Sequence, residues 1–234
     1  NLEKIFNKNS GGFILCFHDL SPNVFESQVK SLSPAKPIPL DELIERYKSG
    51  KSTKNCFSIT FDDGVRNTVI KNTEVCSINN WPVTFYLPIN YVNGELLPYQ
   101  KIELIEKFLK DDYYKISNNY NKKEYKFKKK RLIKFLREII YVESKEKVDA
   151  NLNYFLNKIP NITKAKQSIP KAISWSEIKE LSKNPLVSFQ SHGLSHTACS
   201  ALNENDLRRE MLESKKIIEE STNKRVNSFC YPYG

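Results

Sequence analysis

From Gly12 onward the chain alternates short apolar runs with stretches whose apolar positions recur every three or four residues. Phe13-Ile14-Leu15-Cys16-Phe17 is a continuous apolar run, the pattern of a strand buried on both faces, and it ends at His18-Asp19. Ser21-Pro22 then supplies an N-cap and a first-turn proline, and Phe25, Val29 and Leu32 recur at helical spacing until Pro34. Leu40 to Tyr47 reads as a second helix, with Leu43, Ile44 and Tyr47 on one face and Gly50 beyond it. Cys56 to Phe61 is a β-rich stretch that stops at Asp62-Asp63-Gly64. Val65 to Ile78 can be helical, and Pro82 to Leu87 is again β-branched and aromatic. Strand, helix and strand in succession are the unit of a parallel sheet.

The pattern changes between Tyr99 and Pro160. Ile102, Leu104, Ile105, Phe108 and Leu109, then Leu132, Ile133, Phe135, Leu136, Ile139 and Ile140, repeat with helical periodicity among many lysines, which predicts a helical insertion at about 99–168. Ser174 to Glu177 is a capping box opening a helix with Ile178 and Leu181. Leu186 to Phe189 reads as a strand that ends at Ser191-His192. Asn203, with Asp206, starts a long amphipathic helix through Leu207, Met211, Ile217 and Ile218, and Val226 to Cys230 reads as a final strand. No internal repeat of fixed period is found.

Composition narrows the class. At roughly 150 residues per domain the length allows one or two domains. Apolar residues are 39% of the chain and charged residues 27%, while 7 glycines and 11 prolines among 234 residues exclude collagenous and low-complexity classes. No apolar run approaches the roughly 18 residues of a membrane-spanning helix. Asn1 to Lys4 lacks the layout of a signal peptide, although the absence of an initiator Met leaves open that one was removed.

The 37 basic against 27 acidic side chains give a net charge of +10, which suggests anionic partners. Much of the excess sits between Lys101 and Asp149, with 15 Lys/Arg against 9 Asp/Glu, including Lys122-Lys123 and the run from Lys126 to Arg131. No nucleic-acid motif accompanies it, so nucleic acid is not expected as a partner. A solvated helical pair accounts for the run more simply than peripheral contact with phospholipid or guidance of an anionic substrate, and both of these remain open. Cys16, Cys56, Cys76, Cys199 and Cys230 are odd in number and never spaced as Cys-x-x-Cys. Several, Cys16 and Cys56 among them, sit in apolar stretches and read as small buried hydrophobes, favouring a reducing, cytoplasmic setting over a periplasmic or cell-surface one.

The candidate chemistry lies at the ends of the strands. Of the three histidines, His192 and His196 are four apart just after a strand, and His18 ends another. Spacing of this kind lets both imidazoles converge on one ion, with Gly193 pointing to a loop rather than a helix. Asp62 and Asp63 end a third strand, where a turn can bring both carboxylates toward one cleft. Two buried like charges repel, and a divalent cation ligated by one of them removes that difficulty. The competing reading is a simple Asx-type turn at Asp63-Gly64.

Thr60-Phe61-Asp62-Asp63-Gly64, His192-Gly193-Leu194-Ser195-His196 and Phe229-Cys230-Tyr231-Pro232-Tyr233-Gly234, in that order, resemble the first three motifs of the polysaccharide deacetylases of carbohydrate esterase family 4, with their nodulation-factor-deacetylase-like homology domain. Trp81 to Tyr86 and the capped helix at Ser174 fit the same pattern. The resemblance covers Phe13 to about Pro88 and Pro170 to Gly234, with the basic segment between them as an insertion in a single catalytic domain over 1–234. It implies an α/β fold, an irregular (β/α) barrel of about seven strands, incomplete at the C-terminus if the later motifs lie beyond Gly234. Catalytic loops would meet at the C-terminal ends of the strands. It also implies Asp63, His192 and His196 as ligands of a divalent metal, zinc first and Co2+, Mn2+ or Ni2+ as alternatives, Asp62 as general base, and the Tyr233 backbone N–H as an oxyanion donor.

The implied activity is metal-dependent hydrolysis of the acetamide of an N-acetylhexosamine in a cell-envelope glycan or lipid-linked sugar, releasing acetate. The alternatives are a non-catalytic glycan-binding relative, or a deformylase or O-deacetylase using the same centre. Two departures bear on this. Cys230 stands where many members of the family have an arginine orienting the base, and the histidine that protonates the leaving amine belongs to a later motif. His18 is not assigned that role.

Overall fold

A computed structural model describes residues 11–118 and 123–234, without the side chains of 116–118 and 123–124. Asn1 to Lys4 and Lys122 lie outside the described residues. Five strands form one parallel sheet: β1 (Phe13–Phe17), β2 (Lys36–Pro37), β3 (Cys56–Phe61), β4 (Val83–Leu87) and β7 (Val187–Ser191). The order is β1-β3-β4-β7, with β2 pairing the first residues of β3. Helices α1 (Pro22–Lys30), α2 (Leu40–Lys48), α3 (Arg66–Asn79), α9 (Trp175–Leu181) and α10 (Glu204–Thr222) connect or follow these strands. This is the parallel α/β architecture of a (β/α) barrel.

One row of aromatic rings fixes the register. Phe17, Phe61, Phe85 and Phe189 are successive cross-strand partners, and their ring centroids lie 5.2, 5.5 and 5.8 Å apart. Phe25 of α1 closes on Phe61 at 5.1 Å. A one-residue slip would move every ring in the row to the opposite face, so the apolar period of two specifies the pairing. The opposite face is polar. Thr60 Oγ1 donates to the Leu15 carbonyl at 3.2 Å and Ser58 Oγ to the Ile38 carbonyl at 2.9 Å, so these buried hydroxyls are satisfied.

Side-chain alternation puts Asp62 on this polar face. Three backbone hydrogen bonds extend the ladder past the strand ends: Asp62 N–H to the Phe17 carbonyl at 2.9 Å, His192 N–H to Leu87 at 3.0 Å, and Cys230 N–H to Ser191 at 3.0 Å. The candidate residues therefore project from the C-terminal edge of the sheet.

Several expectations need correction. β1 is not buried on both faces, because Ile14 is 50% exposed and Cys16 is also exposed; of the five free cysteines only Cys76 is buried. Val226 to Cys230 is not a strand. It is held by the Gln190 carboxamide, whose Oε1 accepts from the Asn227 and Ser228 N–H groups at 2.8 and 3.0 Å, and by a single parallel bridge between Ser191 and Phe229.

The insertion is not wholly helical. Between α4 (Ile89–Val92) with α5 (Pro98–Phe108) on one side and α6 (Lys129–Val142), α7 (Lys145–Leu156) and α8 (Ile162–Lys166) on the other lies an antiparallel hairpin, β5 (Tyr113–Asn118) and β6 (Lys123–Lys128). Its cross-strand partners Tyr114 and Phe127 pack against Phe155 and Phe135, with centroids 5.9 and 5.8 Å apart. This joins the hairpin to an apolar cluster built around Leu104, Leu132, Leu136 and Leu152, separate from the cluster around the sheet. Among the described residues no helix is long and apolar enough to cross a membrane.

Candidate active site

Asp63 and Gly64 both adopt positive φ, 68° and 65°, turning the chain sharply out of β3. A Cβ on Gly64 would stand 2.7 Å from Leu87 Cδ2, so only glycine fits this turn. The turn closes by backbone alone, Gly64 N–H to the Asp62 carbonyl at 2.9 Å. Neither aspartate side chain is spent on an Asx turn. Both are instead buried and aimed into a cleft of about 990 Å³ that His18, His192, His196, Cys230 and Tyr233 also line.

Asp63 Oδ1 lies 3.1 Å from His196 Nε2 and 3.7 Å from His192 Nε2, and among the described residues no group makes a well-formed hydrogen bond to it. Its other oxygen accepts from the Tyr99 hydroxyl at 3.1 Å. Burial alone would raise the Asp63 pKa, but His196, then His192, outweigh it and hold the carboxyl below its usual value. His192 is lowered, chiefly by burial and then by His196, so its imidazole is neutral near pH 7. Its Nδ1 pairs with the Cys230 carbonyl at 2.8 Å, and with the proton on Nδ1 the Nε2 lone pair faces Asp63. The three ligand atoms lie within 4.8 Å of one another.

This donor set fits a divalent cation. One carboxylate and two imidazoles with solvent access on the fourth side match catalytic zinc coordination, and among the described residues no geometrically sound hydrogen bond reaches the buried Asp63 Oδ1.

Asp62 takes a different set of neighbours. Its Oδ2 accepts from Cys16 Sγ at 3.3 Å and Cys230 Sγ at 3.4 Å, with the exposed His18 Nε2 3.8 Å away, while Oδ1 is buried with no partner among the described residues. Burial first, and then Asp62, push the Cys16 thiol up to about 11 and Cys230 up as well, so both remain protonated donors near neutral pH. Cys230, at the sequence position where many members of the family have an arginine, is thus one of two thiols that donate to this carboxylate. Tyr233, also at positive φ (66°), edges its ring onto His196 at 4.7 Å, and among the described residues its backbone N–H has no acceptor.

The sequence model of the polysaccharide deacetylase family matches residues 49–234. The chain belongs to the polysaccharide deacetylase family. It is a sugar deacetylase by kinship, a hydrolase of amide bonds. No curated protein matches the sequence. Among solved structures, the Streptococcus pyogenes deacetylase PplD in complex with acetate is similar over 96% of this chain and 74% of its own, at 10% identity and a TM-score of 0.56. IcaB from Ammonifex degensii is similar over 97% and 76%, at 15% identity and 0.55. The BpsB deacetylase domain from Bordetella bronchiseptica is similar over 96% and 80%, at 15% identity and 0.51. At these identities the likeness is one of fold.

Three residues of this deacetylase lay beyond sequence reasoning. Tyr99 reaches Asp63 from α5, and Tyr141 of α6 packs on Tyr233 at 5.1 Å, so helices of the insertion complete the cleft. Glu210 of α10 is buried, and its carboxylate accepts from the Leu194 and Ser195 N–H groups at 2.5 and 3.0 Å and from Ser195 Oγ at 2.6 Å. It ties down the loop between the two histidines. The one available signal was a lone acid on the apolar face of a helix, which is weak.

Proposed function

We propose that this chain is a metal-dependent N-deacetylase that hydrolyses the acetamide of an N-acetylhexosamine in a glycan or lipid-linked sugar. The observation that carries this reading is the meeting of Asp63 Oδ1 with the Nε2 atoms of His192 and His196, beside a second buried carboxylate, Asp62. Asp63, His192 and His196 would hold the cation, with zinc the first choice for such a borderline N/O set. Bound there, a divalent cation acidifies water and polarises a carbonyl.

The chain's own residues supply the rest. Asp62 Oδ1 has no competing donor, while the Cys16 and Cys230 thiols hold Oδ2 and orient the carboxylate; Oδ1 is thus the atom that takes the proton of the attacking water. The Tyr233 N–H is free to donate to the oxygen that gains charge as the acetyl carbon becomes tetrahedral. Collapse breaks the C–N bond, the proton held by Asp62 is available to the departing nitrogen, and acetate and a sugar amine are the products.

Acetate release from N-acetylglucosamine oligomers tests this, with O-acetyl and N-formyl sugars beside them to separate the deformylase and O-deacetylase readings. Asp62→Asn is expected to lose turnover by about 10²-fold or more. Turnover undiminished in that variant would overturn the assignment. A non-catalytic glycan-binding role would show as oligomer binding without acetate from any of the three.

A further inference from the structure

A second recess adjoins the catalytic cleft. Its volume is about 870 Å³, and β6 and α6 line it with Lys126, Lys128, Lys130, Arg131, Lys134 and Arg137. Among the described residues two acids share this wall, and each is already engaged, Glu106 by Arg137 at 2.5 Å and Glu138 by Lys134 at 3.8 Å. Among the described residues no carboxylate lies within 4.0 Å of Lys126, Lys128, Lys130 or Arg131.

Neutral rings hold three of these four cations instead. Lys126 and Lys128 lie over Tyr113 at 4.9 and 5.5 Å, and the Arg131 guanidinium over Phe127 at 5.0 Å. An aromatic face fixes a cation without neutralising it. The recess therefore gathers four cations that no carboxylate among the described residues pairs.

Continuity gives this charge a direction. Glu106, Arg137 and Tyr141 border both the recess and the cleft that holds Asp62, Asp63 and the histidines. Tyr141 packs on Tyr233 on the cleft side, so a chain leaving the catalytic carboxylates along α6 meets the lysines next. We infer that the recess binds anionic substituents, phosphate or carboxylate, on the same glycan whose acetamide enters the cleft. This rests on the deacetylase reading of the cleft and adds the class of its substrate. A bilayer is the poorer occupant, because the recess is continuous with the catalytic cleft through Glu106, Arg137 and Tyr141. Clefts lined by one sign of charge concentrate oppositely charged ligands.

The test uses the full chain loaded with zinc and three N-acetylglucosamine oligomers of equal length: neutral, phosphate-bearing and uronate-bearing. At low salt the wild-type KM is expected to be about tenfold lower for whichever charged oligomer fits, with kcat alike. Lys126→Glu/Lys130→Glu removes that advantage and leaves the neutral oligomer's KM and kcat unchanged, and added salt erases the wild-type preference. The preference between phosphate and uronate tells the two sources apart. Equal KM values for neutral and charged oligomers, or equal losses on both in the variant, overturn the inference. So does charge-dependent capture on phosphatidylglycerol vesicles, or on a DNA oligomer, with no preference among the glycans. Fluorescence polarisation of the labelled oligomers on Asp62→Asn protein reads binding without turnover. An inactive enzyme that still prefers the charged oligomer keeps this inference and removes the deacetylase reading, and an active enzyme without the preference does the reverse.

Discussion

Glu210 and Ser195 are joined twice, through the Ser195 N–H at 3.0 Å and its hydroxyl at 2.6 Å. The carboxylate thereby braces the segment between His192 and His196 from a helix that contributes nothing else to the cleft. Gly193 shows how closely it does so, since a Cβ there would come within 2.9 Å of Glu210 Oε2.

Glu210→Ala is expected to weaken zinc binding by about 10–100-fold, because it removes the acceptor shared by the Leu194 and Ser195 N–H groups together with the partner of the Ser195 hydroxyl and leaves the loop unbraced. Calorimetric zinc titration of the variant checks this. Affinity equal to the wild type would show that the brace does not set ligand geometry.

Tyr99→Phe removes the donor to Asp63 Oδ2 and preserves the ring against His196. Burial first, and then Asp63, push the Tyr99 hydroxyl far above its usual pKa, so it is a protonated donor at any working pH. Loss of this bond should cost about 0.5–1.5 kcal/mol in cation binding and little in thermal stability of the metal-free protein. Zinc titration and thermal melts of the metal-free variant give the two numbers.

Leu132→Ala tests whether the second apolar cluster is integral to the site. Leu132 is fully buried between the insertion's helices, and its truncation should destabilise them by about 2–5 kcal/mol. Since Tyr99 and Tyr141 come from α5 and α6, the expected readout is accelerated hydrogen exchange in those helices together with weakened zinc binding.

Much of this was legible from the sequence. Cys56 to Phe61 reads as a strand by its β-rich composition and is one, and Asn203 and Ser174 cap their helices as expected, each accepting the N–H three residues on. The hairpin escaped because Tyr125, Lys126, Phe127 and Lys128 alternate over too few residues to stand out beside a long helical pattern. The segment at Val226 looked like a strand because its composition is that of one; what decides otherwise is the Gln190 side chain, a tertiary partner without a sequence signature. Asp62, Asp63, His192 and His196 stood out by type and position. Their partners Cys16, Tyr99 and Glu210 come from distant elements, and only the folded chain pairs them.

Glu177 gives a pH signature away from the cleft. Its bond to Arg66 and the Ser174 backbone N–H hold its carboxyl at about 2 against an ordinary 4.5. A depressed folded-state pKa stabilises the fold above the unfolded value and loses that contribution as pH falls through the folded one. The difference in denaturant stability between wild type and Glu177→Gln, modest at so exposed a site, should be full at pH 7 and shrink between 4.5 and about 2.

Zinc titration of the metal-free chain by isothermal calorimetry bears most directly on the centre itself. The wild type should bind a single ion per chain, Asp62→Asn should bind it with comparable affinity while its acetate release falls by about 10²-fold or more, and His196→Ala should lose the ion. A folded wild type that binds no zinc, or His196→Ala and Asp63→Ala variants that bind it as tightly as the wild type, would contradict the assignment of Asp63, His192 and His196.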